Sequence, residues 1–252
     1  MNNILQTLDF EMLQWIVIVI AAFIVGFSKT GIGGVTMLII PVLASVFGGK
    51  DSTGILLPML LVGDVFAVSY YHKSAKWKDV IKPIPWALIG VILGSLIGNY
   101  ISDAAFVKLI GIMVMLCLGI LLYTEMKKQS MTVPDAPWFY ITAGILSGFA
   151  SMIGNAAGPI FSIYLLALGF SKNNFMGTSA WFFFIINMSK VPFQIFMWHN
   201  INLKNLMVTV LMIPLITAGA LTGGYVLKKI NEKYFRYLII VMTAIAAFRL
   251  II

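Results

Sequence analysis

Gly26-Phe27-Ser28-Lys29-Thr30-Gly31-Ile32-Gly33-Gly34 separates two apolar runs, residues 13–27 and 35–47. As helices these runs reach roughly 20–22 Å at ~1.5 Å per residue. A straight crossing of a ~30 Å hydrocarbon core takes ~20 residues. Two short apolar pieces joined by a glycine-rich break that carries a lysine describe a discontinuous helical hairpin. Irregular backbone at membrane depth persists only where it is buried in protein or lines a cavity. The break is therefore the first place to look for a site.

The rest of the chain agrees with a membrane reading. Of its 252 residues, 60% are hydrophobic and only 10% are charged, and mean hydropathy is +0.98. A soluble domain carries roughly 25% charged residues. The expected fold class is an all-α polytopic membrane protein, with a lipid bilayer as its surroundings. The net charge of +8 would suggest nucleic acid in a soluble chain. Here the basic residues lie in loops between apolar runs, as the positive-inside rule describes, so no nucleic-acid partner is expected. Cys117, the only cysteine, lies inside an apolar run and has no internal disulfide partner. The start has no basic segment and no small-residue cleavage site, so the first run is read as part of the mature protein.

Ten apolar segments follow one another: residues 12–27, 35–47, 53–71, 84–101, 106–124, 138–150, 159–168, 176–197, 206–227 and 235–252. The longest polar connection falls in the middle. It gives an N-terminal repeat, 1–124, a cytoplasmic linker, 125–137, and a C-terminal repeat, 138–252. The halves match in order. Gly26-Phe27-Ser28 pairs with Gly148-Phe149-Ala150, Gly54 with Gly177, and Asp64 with Asn187. Gly94-to-Tyr100 pairs with Gly219-to-Tyr225. Weak collinear self-similarity is how transporter repeats show in sequence. Each half has an odd number of crossings whether its first hairpin is re-entrant or fully crossing. The repeats are thus expected to be inverted, each beginning with a discontinuous hairpin. Under either count Lys73, Lys76, Lys78, Lys82, Lys127, Lys128, Lys172, Lys228, Lys229, Lys233 and Arg236 share one face, and Lys50, Lys108, Lys204 and Arg249 the other. The first face is expected to be cytoplasmic, with both termini outside, in a cell (inner) membrane.

With these motifs the chain resembles the sulfite exporter TauE/SafE family of membrane permeases. The resemblance is carried by Gly26-to-Gly34, by Met152-Ile153-Gly154-Asn155-Ala156-Ala157-Gly158-Pro159 and by Gly177-Thr178-Ser179, and it covers the whole chain. It implies movement of sulfur-containing anions: sulfite, thiosulfate, sulfonates or sulfoacetate. One departure stands out. Asn155-Ala156-Ala157 occupies the place of a glycine run, which argues against two equivalent half-sites.

Gly31, Gly33 and Gly34 lead into one helix, and Asn155, Ala156 and Gly158 into its counterpart. Helix N-termini offer free N–H groups and a positive dipole end to an anion. Inverted repeats let the two converge on the midplane. Hydroxyls and amides stand nearby at Ser28, Thr30, Thr36, Ser151, Asn155, Thr178 and Ser179, and Lys29 adds a positive charge. Small residues also simply allow helices to pack, and Lys29 sits equally well in a cytoplasmic loop if the hairpin crosses fully. Asp64 falls about 11 residues into its run, and an intramembrane acid is a functional hypothesis by default. It can pair with Lys29 or Lys190, carry a coupling proton, or make a packing hydrogen bond. Asn187 cannot ionise. Lys190 either contributes to the site or snorkels to the interface.

Other classes fail on particular residues. Ser28-Lys29-Thr30 ends like a phosphate loop, but positions 23 and 28 are not glycine. His72 and His199 are assigned to opposite faces and cannot share a metal. No membrane histidine is available as a base, so neither an enzyme nor a cofactor is expected. The reading is a secondary transporter of small oxyanions that exports sulfite or an organosulfonate by alternating access at a midplane site. The alternatives are a passive anion channel, proton- or sodium-coupled uptake, and a non-transporting sensor or scaffold. Oligomeric state is not legible.

Overall fold

The computed structural model describes residues 10–98 except Gly33, residues 137–231, and scattered positions between 100 and 105 and between 233 and 245; at Pro41 only the backbone is described. The expected segment 106–124, the linker as far as residue 136 and most of segment 235–252 lie outside the described residues. Among the described residues every regular element is helical. They are α1 (Met12–Thr30), α2 (Thr36–Phe47), α3 (Gly49–Tyr71), a 3-10 turn (His72–Ser74), α4 (Trp77–Ile81), α5 (Ile84–Ile97), α6 (Pro137–Gly154), α7 (Ala157–Ala167), α8 (Lys172–Phe196) and α9 (Leu203–Lys229).

Local chemistry sets most ends. The Glu11 backbone N–H donates to Gln14 Oε1 at 3.0 Å as α1 begins. Ser171 and Asn202 cap α8 and α9 by accepting from the backbone N–H of Asn174 and Asn205. Several helices start before their apolar segments do. α3 takes in Lys50, Asp51 and Ser52, and α8 takes in Lys172, Asn173 and Asn174. These polar first turns satisfy or flank the orphan N–H groups of a helix start, so hydropathy alone places the boundary too late. α1 also runs past Gly26 to Thr30, and the backbone breaks only between Gly31 and Val35.

Among the described residues four stretches are long and apolar enough to cross a membrane: Met12–Thr30, Gly49–Ser74, Trp77–Ile97 and Leu203–Lys229. α2 and α7, with 12 and 11 residues, reach only about 17–18 Å at the α-helical rise and are too short for that. Each pairs with the longer helix before it across a break.

Glycines show how the helices dock. Gly54, near the start of α3, lies against the backbone of Asn200 beyond the end of α8; Gly177, near the start of α8, lies against Ala75 and Ser74 beyond the end of α3. α3 and α8 therefore run antiparallel, and Asp64 meets Asn187 between those contacts. α1 and α9 run parallel, with Gly26 against Ile216 and Ala220, and Gly31 against Gly223. α5 and α6 run parallel in the same manner, with Gly90 against Ile145 and Gly94 against Phe149 and Met152. The contacts of Gly90 and Gly94 reproduce those of Gly219 and Gly223 with Phe23, Phe27 and Thr30. That pairing lies one helical turn from the sequence match of Gly94 and Gly98 with Gly219 and Gly223. Gly98 instead backs the Trp198 ring.

One end of the molecule gathers the lysines around the 3-10 turn, α4, the start of α8 and the end of α9. There Lys172 Nζ donates to the carbonyls of Leu227 and Ile230 at 3.2 and 2.6 Å, closing the C-terminus of α9. The opposite end holds Lys50, beside Trp198, and Lys204, over the Phe10 ring.

Candidate functional site

The last turn of α1 carries Lys29 into the protein. Successive side chains turn by about 100° around a helix, so neighbours face different partners. Lys29 Nζ pairs with Asp64 Oδ1 at 2.5 Å, with 13% of its side chain exposed and none of the acid's. It also lies 4.9 Å from the centre of the Phe183 ring. Asp64 Oδ2 accepts from Asn187 Nδ2 at 2.6 Å. Asn187 Oδ1 accepts from Lys190 Nζ at 2.9 Å, and Lys190 also donates to Ser151 Oγ at 3.0 Å and Asn155 Oδ1 at 2.5 Å. An ammonium has three donors, and all three of Lys190 are engaged. The result is one buried network from Lys29 through Asp64 and Asn187 to Lys190, with two lysine side chains to one acid.

Lys190 also sets the direction of two amides. It requires oxygens, so the nitrogens of Asn155 and Asn187 point elsewhere. Asn187 Nδ2 goes to Asp64. Asn155 Nδ2 is buried and meets no partner among the described residues. Asn155 sits at the second break with φ 53°, a left-handed conformation that asparagine tolerates better than most residues.

A cavity of about 70 Å³ adjoins this network. By the same measure one water needs roughly 10–15 Å³, so the cavity has room for roughly five to seven waters, or for a small ion with space to spare. Gly34 and Thr36 reach it from the start of α2, and Ala157 and Gly158 from the start of α7. At the start of α2 the N–H groups are taken up: Val35, Met37 and Leu38 donate to the carbonyls of Ile32, Gly34 and Val35 at 3.5, 2.9 and 3.0 Å, and Thr36 donates to Ser28 Oγ at 3.3 Å. A Cβ on Gly158 would stand 4.0 Å from Gly34 Cα, so the two breaks meet. Ser151, Ser162 and Ser179 supply hydroxyls, while Met37, Leu60, Phe175, Met176 and Phe183 form an apolar wall.

The family model described as sulfite exporter TauE/SafE matches residues 18–250, a span that holds every residue of the cavity and the network. The chain belongs to the sulfite exporter TauE/SafE family. No curated protein and no solved structure gives a match. Membership in TauE/SafE makes this a membrane transporter of sulfur-containing anions, and the family's members are transporters rather than enzymes.

Of the residues singled out in this TauE/SafE chain, Ser28, Lys29, Gly34, Thr36, Asp64, Ser151, Asn155, Gly158, Ser179 and Asn187 border the cavity. Lys190 stands behind it, fully buried rather than snorkelling. Four others face elsewhere. The Thr30 hydroxyl donates to Ala220 O at 2.5 Å, and its carbonyl accepts from Tyr71 Oη. Gly31 packs on Gly223. Ala156 is buried, and its N–H donates to Ala150 O. Thr178 Oγ1 accepts the Lys76 backbone N–H at 3.0 Å. Gly33 lies outside the described residues. Sequence reasoning missed Met37, Leu60, Ala67, Ala157, Ser162, Phe175, Met176, Ala180 and Phe183. Only Ser162, a single hydroxyl in an apolar run, carried a usable signal.

Proposed function

We infer that this protein is a secondary transporter that exports a small sulfur oxyanion, sulfite or an organosulfonate, by alternating access. The observation that carries the reading is the cavity between the first turns of α2 and α7, flanked by Lys29 and by the free amide of Asn155. Two helix N-termini, an ammonium, hydroxyls and an amide donor all favour an anion. Ser28, Lys29, Gly34, Ser151, Asn155, Gly158 and Ser179 hold it. Thr30, Gly31, Ala156 and Thr178 support those groups from behind.

The two halves are inverted repeats related by a two-fold axis in the membrane plane. Asp64 and Asn187, matched in sequence, touch each other, as matched residues do near an axis. The antiparallel crossing of α3 and α8 suits an axis perpendicular to the helices. The basic end is cytoplasmic in the inner membrane, with both termini outside. A maleimide applied from the cytoplasm alone modifies Lys78→Cys; modification from outside alone reverses the orientation.

Inside-negative potential favours anion exit by roughly 2.3 kcal/mol per charge per 100 mV, so export needs no coupled ion. Coupled uptake finds one supporting observation, the buried Asp64 carboxylate. Counterflow separates carrier from channel. Unlabelled sulfite inside proteoliposomes accelerates entry of labelled sulfite through a carrier. Entry that is indifferent to internal sulfite and never saturates replaces the carrier with a pore.

A further inference from the structure

Most of the α3 and α8 lining of the cavity lies to one side of the Asp64–Asn187 contact. It takes Ala67 from the later part of α3 and Phe175, Met176, Ser179, Ala180 and Phe183 from the earlier part of α8, which both face the basic end. On the other side only Leu60 of these two helices reaches it. The Asp64–Asn187 match carries Ala67 onto Lys190, Met176 onto Thr53 and Tyr71 onto Gln194. Lys190 and Gln194 are both wholly buried.

Gln194 has no role in the site described above. Neither polar atom of its amide meets a partner among the described residues. Native proteins rarely bury such a group unpaired. It stands one helical turn beyond Lys190 on α8. Beyond it the main-chain carbonyl of Gln194 accepts the Asn200 N–H at 3.1 Å, at the end of α8. The Asn200 side chain donates to Thr53 Oγ1 at 2.9 Å and to Lys50 O at 2.6 Å. Buried polar side chains such as Lys190 and Gln194 are costly in a membrane segment and are functional hypotheses by default.

We propose that Lys190 and Gln194 form the anion's second contact site, on the far side of the Asp64–Asn187 pair. This rests on the alternating-access reading. When the cavity opens toward the Lys50 end, Lys190 takes the wall position that Ala67 holds now. Its ammonium exchanges the Asn187 and Asn155 oxygens for the anion, and the Gln194 amide N–H donates to the same anion. Lys29 serves the basic side and Lys190 the far side.

The test is labelled sulfite transport in proteoliposomes of defined orientation, with half-saturation measured from each side for the wild type, Lys190→Gln and Gln194→Leu. Gln194→Leu removes an unpaired buried amide and is expected to fold at least as well as the wild type. Both variants should raise half-saturation from the Lys50 side roughly tenfold, as loss of one charge-assisted hydrogen bond does. From the basic side Gln194→Leu should stay within about twofold, whereas Lys190→Gln also releases Ser151, Asn155 and Asn187 there and shifts both sides. With Gln194→Leu, equal shifts on both sides or no shift overturn the second site while leaving the carrier intact. A wild type that moves no sulfite overturns both readings.

Discussion

At the scale of single residues, Lys29 and Asp64 depend on each other. Removing one member of a buried pair leaves a charge unpaired and costs about 3–5 kcal/mol, whereas replacing both is far less harmful. Lys29→Ala should therefore unfold at a distinctly lower temperature in detergent, and Lys29→Ala with Asp64→Asn should recover most of the loss. Additive losses in the double variant would deny the pairing. Asn155→Asp asks a different question. It keeps an oxygen for Lys190, and aspartate also tolerates a left-handed backbone. It removes the free amide donor and the surplus positive charge. Folding should persist while sulfite transport falls at least about tenfold; unchanged transport would remove Asn155 from the anion. Part of this site was legible. A lysine in a glycine-rich break and an acid in the third run stood out because charge is rare in membrane segments. Thr30 and Thr178 were drawn in by the same logic, but which way a side chain faces depends on helix rotation. Phe175 and Phe183 look like any other apolar residue in α8.

Among elements, the docking of α1 on α9 and of α5 on α6 rests on glycines whose missing Cβ lets backbones touch. A Cβ on Gly148 would press into the Ala87 carbonyl, and one on Gly219 into that of Phe23. One on Gly224 meets only the Tyr70 ring, at ordinary contact distance. Gly148→Ala and Gly219→Ala should each cost about 1–3 kcal/mol, as overpacking does, while Gly224→Ala should be nearly neutral. Equal tolerance at all three in a thermal unfolding series would refute these contacts. The sequence already showed two short helices, α2 and α7, because small and polar residues interrupt the apolar runs. It misplaced one register. Glycines recur every four residues in α5, so Gly94 and Gly98 match Gly219 and Gly223 as well as Gly90 and Gly94 do. Only the partners, Phe27 and Thr30 on one side and Phe149 and Met152 on the other, decide between them.

Across the whole molecule, polar groups are arranged in depth. Lysines mark one end, Asp64 between Lys29 and Asn187 marks the centre, and most of the α3 and α8 lining of the cavity lies between the centre and the basic end. Hydropathy pointed to a membrane protein because lipid punishes exposed polar groups everywhere. Asn155 departs from the glycine pattern and accepts from Lys190. The matched first break has no such amide among the described residues. The most direct test of the central claim is sulfite efflux from proteoliposomes, with the potential set by potassium and valinomycin. The account predicts saturable efflux that rises with inside-negative voltage and is lost in Lys29→Ala with Asp64→Asn, a variant whose fold should survive. Efflux that continues undiminished in that variant, or sulfite that never leaves through the wild type, would contradict it.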